Sequence, residues 1–195
     1  MEPEEKNRWD ARYQERPELW TPADEFLIRA CDQFLRWQQA GVALDLAGGA
    51  GRNSMFLVER GWSVDLVDIS DVALRLAKEK FQAVAAKSVA GKLNAAQLDL
   101  NTASDLGQDK YDLIVVFYFL RRELFPALIA ALKRGGMLIY RTYTIDRMNV
   151  PGGPTDPAYL LQPGELREAF ESLEILYYNE SRTGKAAAEL VAKKA

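Results

Sequence analysis

Over its first forty positions the chain places apolar residues at helical spacing, and from residue 42 short apolar runs alternate with amphipathic stretches. Trp9 and Tyr13 lie four apart in a polar segment, so one helix face carries both rings. Thr21-Pro22-Ala23-Asp24 predicts a second helix start, with threonine as the cap, proline in the first turn and Asp24 as the acid three residues on. Phe26, Ala30, Phe34 and Trp37 then share a face, flanked by Leu27, Cys31 and Leu35, and Gly41 is expected to close the helix.

The apolar runs predict strands at Val42–Leu46, Val64–Val67, Leu93–Leu98, Asp112–Phe119 and Met137–Tyr143. A helix over Arg52–Arg60 separates the first two. Between the second and third, Val72, Leu76, Val84 and Ala73, Ala77, Phe81, Ala85 form adjacent ridges of one helical face. A further helix is expected from Pro126 to Arg134, stopped by Gly135-Gly136. The tail differs. A helix opens near Gly164-Glu165, and Leu173–Asn179 and Ala187–Ala192, with Gly184 between them, read as a hairpin. Strand–helix alternation implies an α/β fold: a Rossmann-like seven-stranded sheet, mostly parallel with an antiparallel last strand, and helices on both faces. Residues 1–40 are expected to form a helical cap on a single compact unit, 41–195.

Composition narrows the chemistry more than the fold. The 195 residues include no histidine and one cysteine, which excludes a histidine triad or imidazole acid–base and argues against a zinc or other metal site. Cys31 has no partner for an internal disulfide. A net charge of −3 speaks against nucleic-acid partners. No apolar run approaches membrane-span length, and the charged opening MEPEEKNRWD does not read as a secretory signal, so a cytoplasmic monomer or homodimer acting on a small molecule is expected.

The first strand runs into Asp45-Leu46-Ala47-Gly48-Gly49-Ala50-Gly51 and then directly into a helix. Glycines at that junction let backbone approach a ligand, and the helix start offers N–H groups to negative charge. The dinucleotide spacing G-x-G-x-x-G is broken by Ser54; the alternative D-x-G-x-G-x-G is met with Ala47 in place of its first glycine. Asp68 at the end of the second strand can accept both ribose hydroxyls of a nucleoside, and Asp99 at the end of the third can accept from an adenine amino group. Each aspartate alone could merely cap a turn. With Asp45, they place three carboxylates on one rim of the sheet.

These residues carry a resemblance. The run Ala43–Ser70 resembles the cofactor-binding core of class I methyltransferases that use S-adenosylmethionine (SAM), and Gly51-Arg52-Asn53-Ser54 is similar to the tellurite-resistance methyltransferase family. The likeness continues through Gln97–Leu100, Tyr111–Ile114, Gly135–Ile139 and Pro163–Arg167, covering about residues 40 to 195, with a looser match at Trp9–Tyr13. It implies that Asp45, Ala47, Gly49 and Gly51 shape the methionine end of a SAM pocket, and that Asp68 holds the ribose. Ile69 would pack on adenine, Asp99 and the backbone of Leu100 would read its edge, and Phe117 would face the sulfonium. Trp20 and Thr21 would cover the cofactor. Two departures stand out. Ala47 replaces the usual glycine, which an alanine tolerates where φ stays negative. The family's histidine–arginine pair in the tail reads Glu180-Ser181-Arg182, keeping only the arginine.

Methyl transfer from SAM to a soft or already ionised nucleophile needs no general base, in keeping with a histidine-free chain. Were a base required, Tyr118, Tyr143 and Asp146 are the nearby candidates. Arg121, Arg122, Arg141, Arg147 and Arg182 make an anionic substrate a reasonable expectation, and the Pro- and Gly-rich segment 144–163 reads as a substrate lid. Two other classes fit less well: a nicotinamide (NAD) oxidoreductase, which lacks its third glycine here, and a SAM-binding module without catalysis.

Overall fold

A computed structural model of the chain describes residues 3–15, 22–35, 39–86, 90–103, 105–150, 154 and 156–195. Seven strands form one mixed sheet in the order β3-β2-β1-β4-β5-β7-β6. They are β1 (Val42–Leu46), β2 (Ser63–Asp68), β3 (Lys92–Gln97), β4 (Tyr111–Phe117), β5 (Leu132–Tyr143), β6 (Glu174–Glu180) and β7 (Ala187–Lys193). The pairs β1–β2, β2–β3 and β4–β5 are parallel, and β7 is antiparallel to both β5 and β6. The expected seven-stranded architecture is thus present. Among the described residues, no helix is long and apolar enough to cross a membrane. The chain divides into two compact units, Met1–Ala103 and Ser104–Ala195.

In the first unit, α1 (Pro3–Glu15) does carry Trp9 and Tyr13 on one face, their ring centroids 6.2 Å apart. The second helix, α2 (Glu25–Phe34), starts later than the sequence suggested. Asp24 is its cap, accepting from the Phe26 N–H, because an aspartate carboxylate satisfies a free first-turn donor directly. Thr21 and Trp37 lie outside the described residues, and the helix ends at Phe34 rather than at Gly41. Helices α3 (Arg52–Glu59) and α4 (Asp71–Ala85) separate β1, β2 and β3. On α4 the buried positions are Val72, Ala73, Leu74 and Ala77; burial fades toward Ala85, which is exposed, so the ridge read from the sequence packs only along its first half.

The second unit contains β4, α5 (Phe125–Ala131), β5, α6 (Glu165–Ala169), β6 and β7. The fifth helix stops three residues short of the expected Arg134. Leu132 turns extended and Gly135 adopts φ +77, so Tyr111 pairs with Leu132 while Leu113 pairs with Met137. Gly135-Gly136 therefore forms an irregular strand entry, and a Cβ on Gly136 would sit 2.8 Å from the Tyr111 carbonyl. Phe125, Tyr140 and Phe170 make the aromatic centre of this unit, with centroids 5.1 to 6.2 Å apart. Strand β7 lies between β5 and β6, and its alanines are buried on both faces; edge strand β6 alternates. The described parts of segment 144–163 carry local structure: Ile145–Asn149 and Pro157–Tyr159 form 3-10 turns, Thr144 bridges Leu161, and Leu160 and Leu161 are buried. Pro151, Gly152 and Gly153 lie outside the described residues.

Candidate functional site

The glycine loop of the first unit is built on left-handed backbone. Ala47, Gly49 and Gly51 have φ of +53, +57 and +73. The condition under which alanine is readily tolerated, a negative φ, is not met at Ala47: its methyl is carried in a conformation that costs a non-glycine residue about 1–2 kcal/mol. Ala47→Gly is expected to stabilise the protein by about 0.5–1 kcal/mol, the strain relieved less the backbone entropy glycine adds to the unfolded chain. Urea unfolding of both proteins checks this, and an unchanged or lower midpoint would mean the strain is absorbed elsewhere. The neighbouring glycines are required sterically. A Cβ on Gly48 would lie 2.4 Å from Leu66 Cδ1 and 2.5 Å from Asp45 Cγ, and one on Gly49 only 1.9 Å from Tyr13 Oη.

Beneath this loop Asp45 is 1% exposed. Ser54 Oγ donates to its Oδ2 at 2.6 Å, while Oδ1 has no hydrogen-bond partner among the described residues. Burial pushes the Asp45 carboxyl up to about 6, against the Ser54 hydrogen bond, with the charge of Asp68 adding to the rise. Ser54, the residue that broke the dinucleotide spacing, is thus the support of the buried acid. Asp68, also buried, accepts from the Gly49 N–H at 2.8 Å through Oδ2 and from the Ser70 N–H at 2.9 Å through Oδ1. Burial raises its carboxyl pKa, and the Ser70, Gly49 and Ile69 N–H groups oppose the rise. Asp68 thereby couples the loop after β1 to the loop after β2. Ile69 is partly exposed beside it, and Leu100 is buried. Asp99 lies two residues past β3, where its Oδ1 accepts from the Asn101 N–H at 2.9 Å and closes a turn.

Sequence reasoning missed how α1 enters this site. Tyr13 lies against Gly49 and packs with Ala50, Val72 and Ala73; its phenol pKa is raised by burial and then by Asp68. Ser70 Oγ donates to Asp10 at 2.6 Å, Lys6 bridges Asp10 and Asp71, and Asn101 donates to Glu5 at 2.7 Å. One helix therefore holds all three loops that carry the candidate acids. The Trp9–Tyr13 spacing was the only signal for it. Trp20 lies outside the described residues.

In the second unit Phe117 ends β4 and is buried, its ring 6.4 Å from that of Tyr118. Arg121 pairs with Glu123 at 3.7 Å. Arg122 is committed to its own unit: it binds both oxygens of Glu165 and donates to the carbonyls of Ala158 and Leu160 at 3.0 Å, clamping the 157–165 segment. Arg182 is exposed and pairs with Asp146 at 3.2 Å. The structure thus brings Tyr118 beside Phe117 but gives Arg122 and Arg182 separate acidic partners.

A family model described as "Tellurite resistance protein TehB" matches residues 31–188. A curated protein of Haemophilus influenzae strain Rd, "Probable S-adenosyl-L-methionine-dependent methyltransferase TehB", is 32% identical over 146 residues, covering 71% of this chain and 48% of that protein. The chain thus spans about half the length of the curated relatives it matches. The crystal structure of TehB from Haemophilus influenzae superposes with a TM-score of 0.73 at 21% identity, covering 96% of this chain and 67% of that one. Magnesium protoporphyrin IX methyltransferase from Synechocystis PCC 6803, crystallised with bound SAH, gives 0.72 at 17% identity, covering 97% and 98%. At those identities the two structures establish the shared fold.

Proposed function

The chain belongs to the tellurite resistance protein TehB family, and on that premise we propose that it is a SAM-dependent methyltransferase acting on a small molecule. The observation that carries this reading is the buried, half-unpaired Asp45 under a glycine loop. A carboxylate oxygen left without a partner at 1% exposure is costly unless a ligand meets it, and the methionine end of SAM brings a cationic amine. Gly48 and Gly49 let the loop backbone pack directly against Leu66, Asp45 and Tyr13, where a side chain would collide. Asp68 turns both oxygens to the loop N–H groups, and its remaining acceptor capacity would meet the ribose hydroxyls. Ile69 offers an apolar surface to adenine, and Asp99 with the backbone of Leu100 takes the adenine edge. Phe117 toward the sulfonium, like these assignments, rests on the resemblance.

When bound, SAM supplies a methyl group activated by its sulfonium. The chain's own task is then to align the acceptor and exclude water. A histidine-free chain suits an acceptor that is a soft nucleophile or already ionised. A nicotinamide cofactor fits less well, because Ser54 and its hydrogen bond to Asp45 occupy the place of the third glycine.

SAM and S-adenosylhomocysteine are expected to raise the Tm, by an amount that grows with their concentration over Kd, while NAD leaves it unchanged. A shift with NAD and none with either sulfur nucleoside at millimolar concentration would overturn the proposal. Conversion of SAM to S-adenosylhomocysteine over a panel of thiols, selenite and small acids then separates an enzyme from a binding module.

A further inference from the structure

The glycine loop is tied on two sides. Asp68 accepts from the Gly49 N–H on one, and on the other Lys80 Nζ, from α4, donates to the Ala50 carbonyl at 3.3 Å. That carbonyl needs a donor. Ala50 is 2% exposed, and in a regular first turn of α3 the Ser54 N–H would bond back to it. The Ser54 N–H instead favours the Asp45 carboxylate, and the first bond back along α3 runs from the Met55 N–H to the Gly51 carbonyl. Around this contact α4 lies directly on the loop: Ala73 shares a buried cluster with Ala50, and a Cβ on Gly51 would sit 3.0 Å from the Ala77 Cβ. Ala73, Ala77 and Lys80 follow one another by a helical turn, so one ridge carries all three.

The lysine is placed there at a cost. It is half-buried, no carboxylate lies within ion-pair reach of it among the described residues, and burial lowers its pKa. It also stands beside the start of α3, where the helix dipole disfavours a cation. A lysine that only solvated the helix would turn its ammonium to water; this one is drawn in to meet the loop. Gly49 and Gly51, at φ +57 and +73, leave the loop backbone free to take other shapes, so its shape depends on such ties. From this arrangement, and resting on the methyltransferase reading, we infer that Lys80 is a positioning residue for the cofactor. It acts through the Ala50 carbonyl, keeping the Gly49–Gly51 backbone in the shape that receives the methionine end of SAM. The run from the Gly49 N–H to the Ala50 carbonyl is then fixed at both ends, by a carboxylate at the end of β2 and an ammonium on α4.

The test pairs Lys80→Met, which keeps the stem and removes the donor, with Lys80→Arg, which keeps a charged donor. S-adenosylhomocysteine is titrated into each full chain by calorimetry. Lys80→Met should weaken binding roughly tenfold, the effect of about one well-placed hydrogen bond, and Lys80→Arg should restore most of the loss. In the ligand-free proteins, amide exchange at Gly49 and Gly51 should quicken several-fold in Lys80→Met, while the amides of β1 and β2 keep the parent's rates. That local pattern separates positioning from a general loss of stability. S-adenosylhomocysteine binding to Lys80→Met as to the parent, arginine no better than methionine, or exchange quickening equally along the strands overturns the inference. A parent protein that binds no S-adenosylhomocysteine overturns the methyltransferase reading instead, and exchange at Gly49 and Gly51 in the free proteins still judges the tie.

Discussion

Replacing Asp45 by asparagine is expected to stabilise the free protein at neutral pH while weakening its hold on SAM. The folded carboxyl sits at about 6 against an ordinary 3.8, because the group is buried. A raised folded pKa means that the stabilising, protonated form is fully present below pH 3.8 and that its contribution is lost as pH rises through about 6. At pH 7.5 the charge therefore costs the fold about 3 kcal/mol. Asparagine keeps an oxygen for the Ser54 hydroxyl and removes the charge, but its amide N–H groups need acceptors, so a net gain of about 1–2 kcal/mol is expected. Urea unfolding of both proteins at pH 4.5 and 7.5 checks it. The gap should open with pH, and an identical gap at both values would mean that burial of the charge is not what strains the site. SAM affinity should fall by about 1.5–3 kcal/mol, the worth of a charged hydrogen bond.

Asp68→Ala should destabilise the protein before any cofactor is added. It strips acceptors from the buried Gly49 and Ser70 N–H groups, and two unsatisfied donors cost about 2–5 kcal/mol together. That corresponds to a fall in Tm of roughly 5–15 °C for a chain of this size. Asp68→Asn retains one acceptor and should lose about half as much. A cofactor-free melt of each variant decides the matter: an unchanged Tm for Asp68→Ala would show that the loop does not lean on this carboxylate. Weakened SAM binding must be read against the folded fraction, because Asp68 shapes the loop in addition to the ribose contact proposed for it.

The strands were legible because each is a short apolar run of the right period, and Val42–Leu46 matches residue for residue. The helix ends were less so. Gly135-Gly136 looked like a helix stop, yet Leu132 had already turned extended, a decision made by pairing with Tyr111. The three aspartates were singled out by their positions at strand ends, and the structure places Asp45 within β1, Asp68 at the end of β2 and Asp99 two residues past β3. Their division of labour was not legible, since Asp68 serving two backbone donors depends on loops that only meet in the fold. The left-handed φ of Ala47 was hidden for the same reason: alanine gives no local sign of the conformation that the loop imposes on it. Arg122 stood out as a charge near a strand end, and only the return of Glu165 from 43 residues away reveals it as a clamp.

The grip of α1 on the three loops sets an order on folding. Its hydrogen bonds to Ser70 and Asn101 span 60 and 96 residues. Closing such loops costs entropy that local strand–helix contacts do not pay, so non-local docking lags behind them. On a chain made from its N-terminus, α1 is synthesised before the loops that seat it and has no complete seat until Asn101 exists, so it waits with Trp9 and Tyr13 exposed. A segment made before its partners is therefore the last to settle in its unit, and burial of Trp9 reports the end of refolding there rather than its beginning.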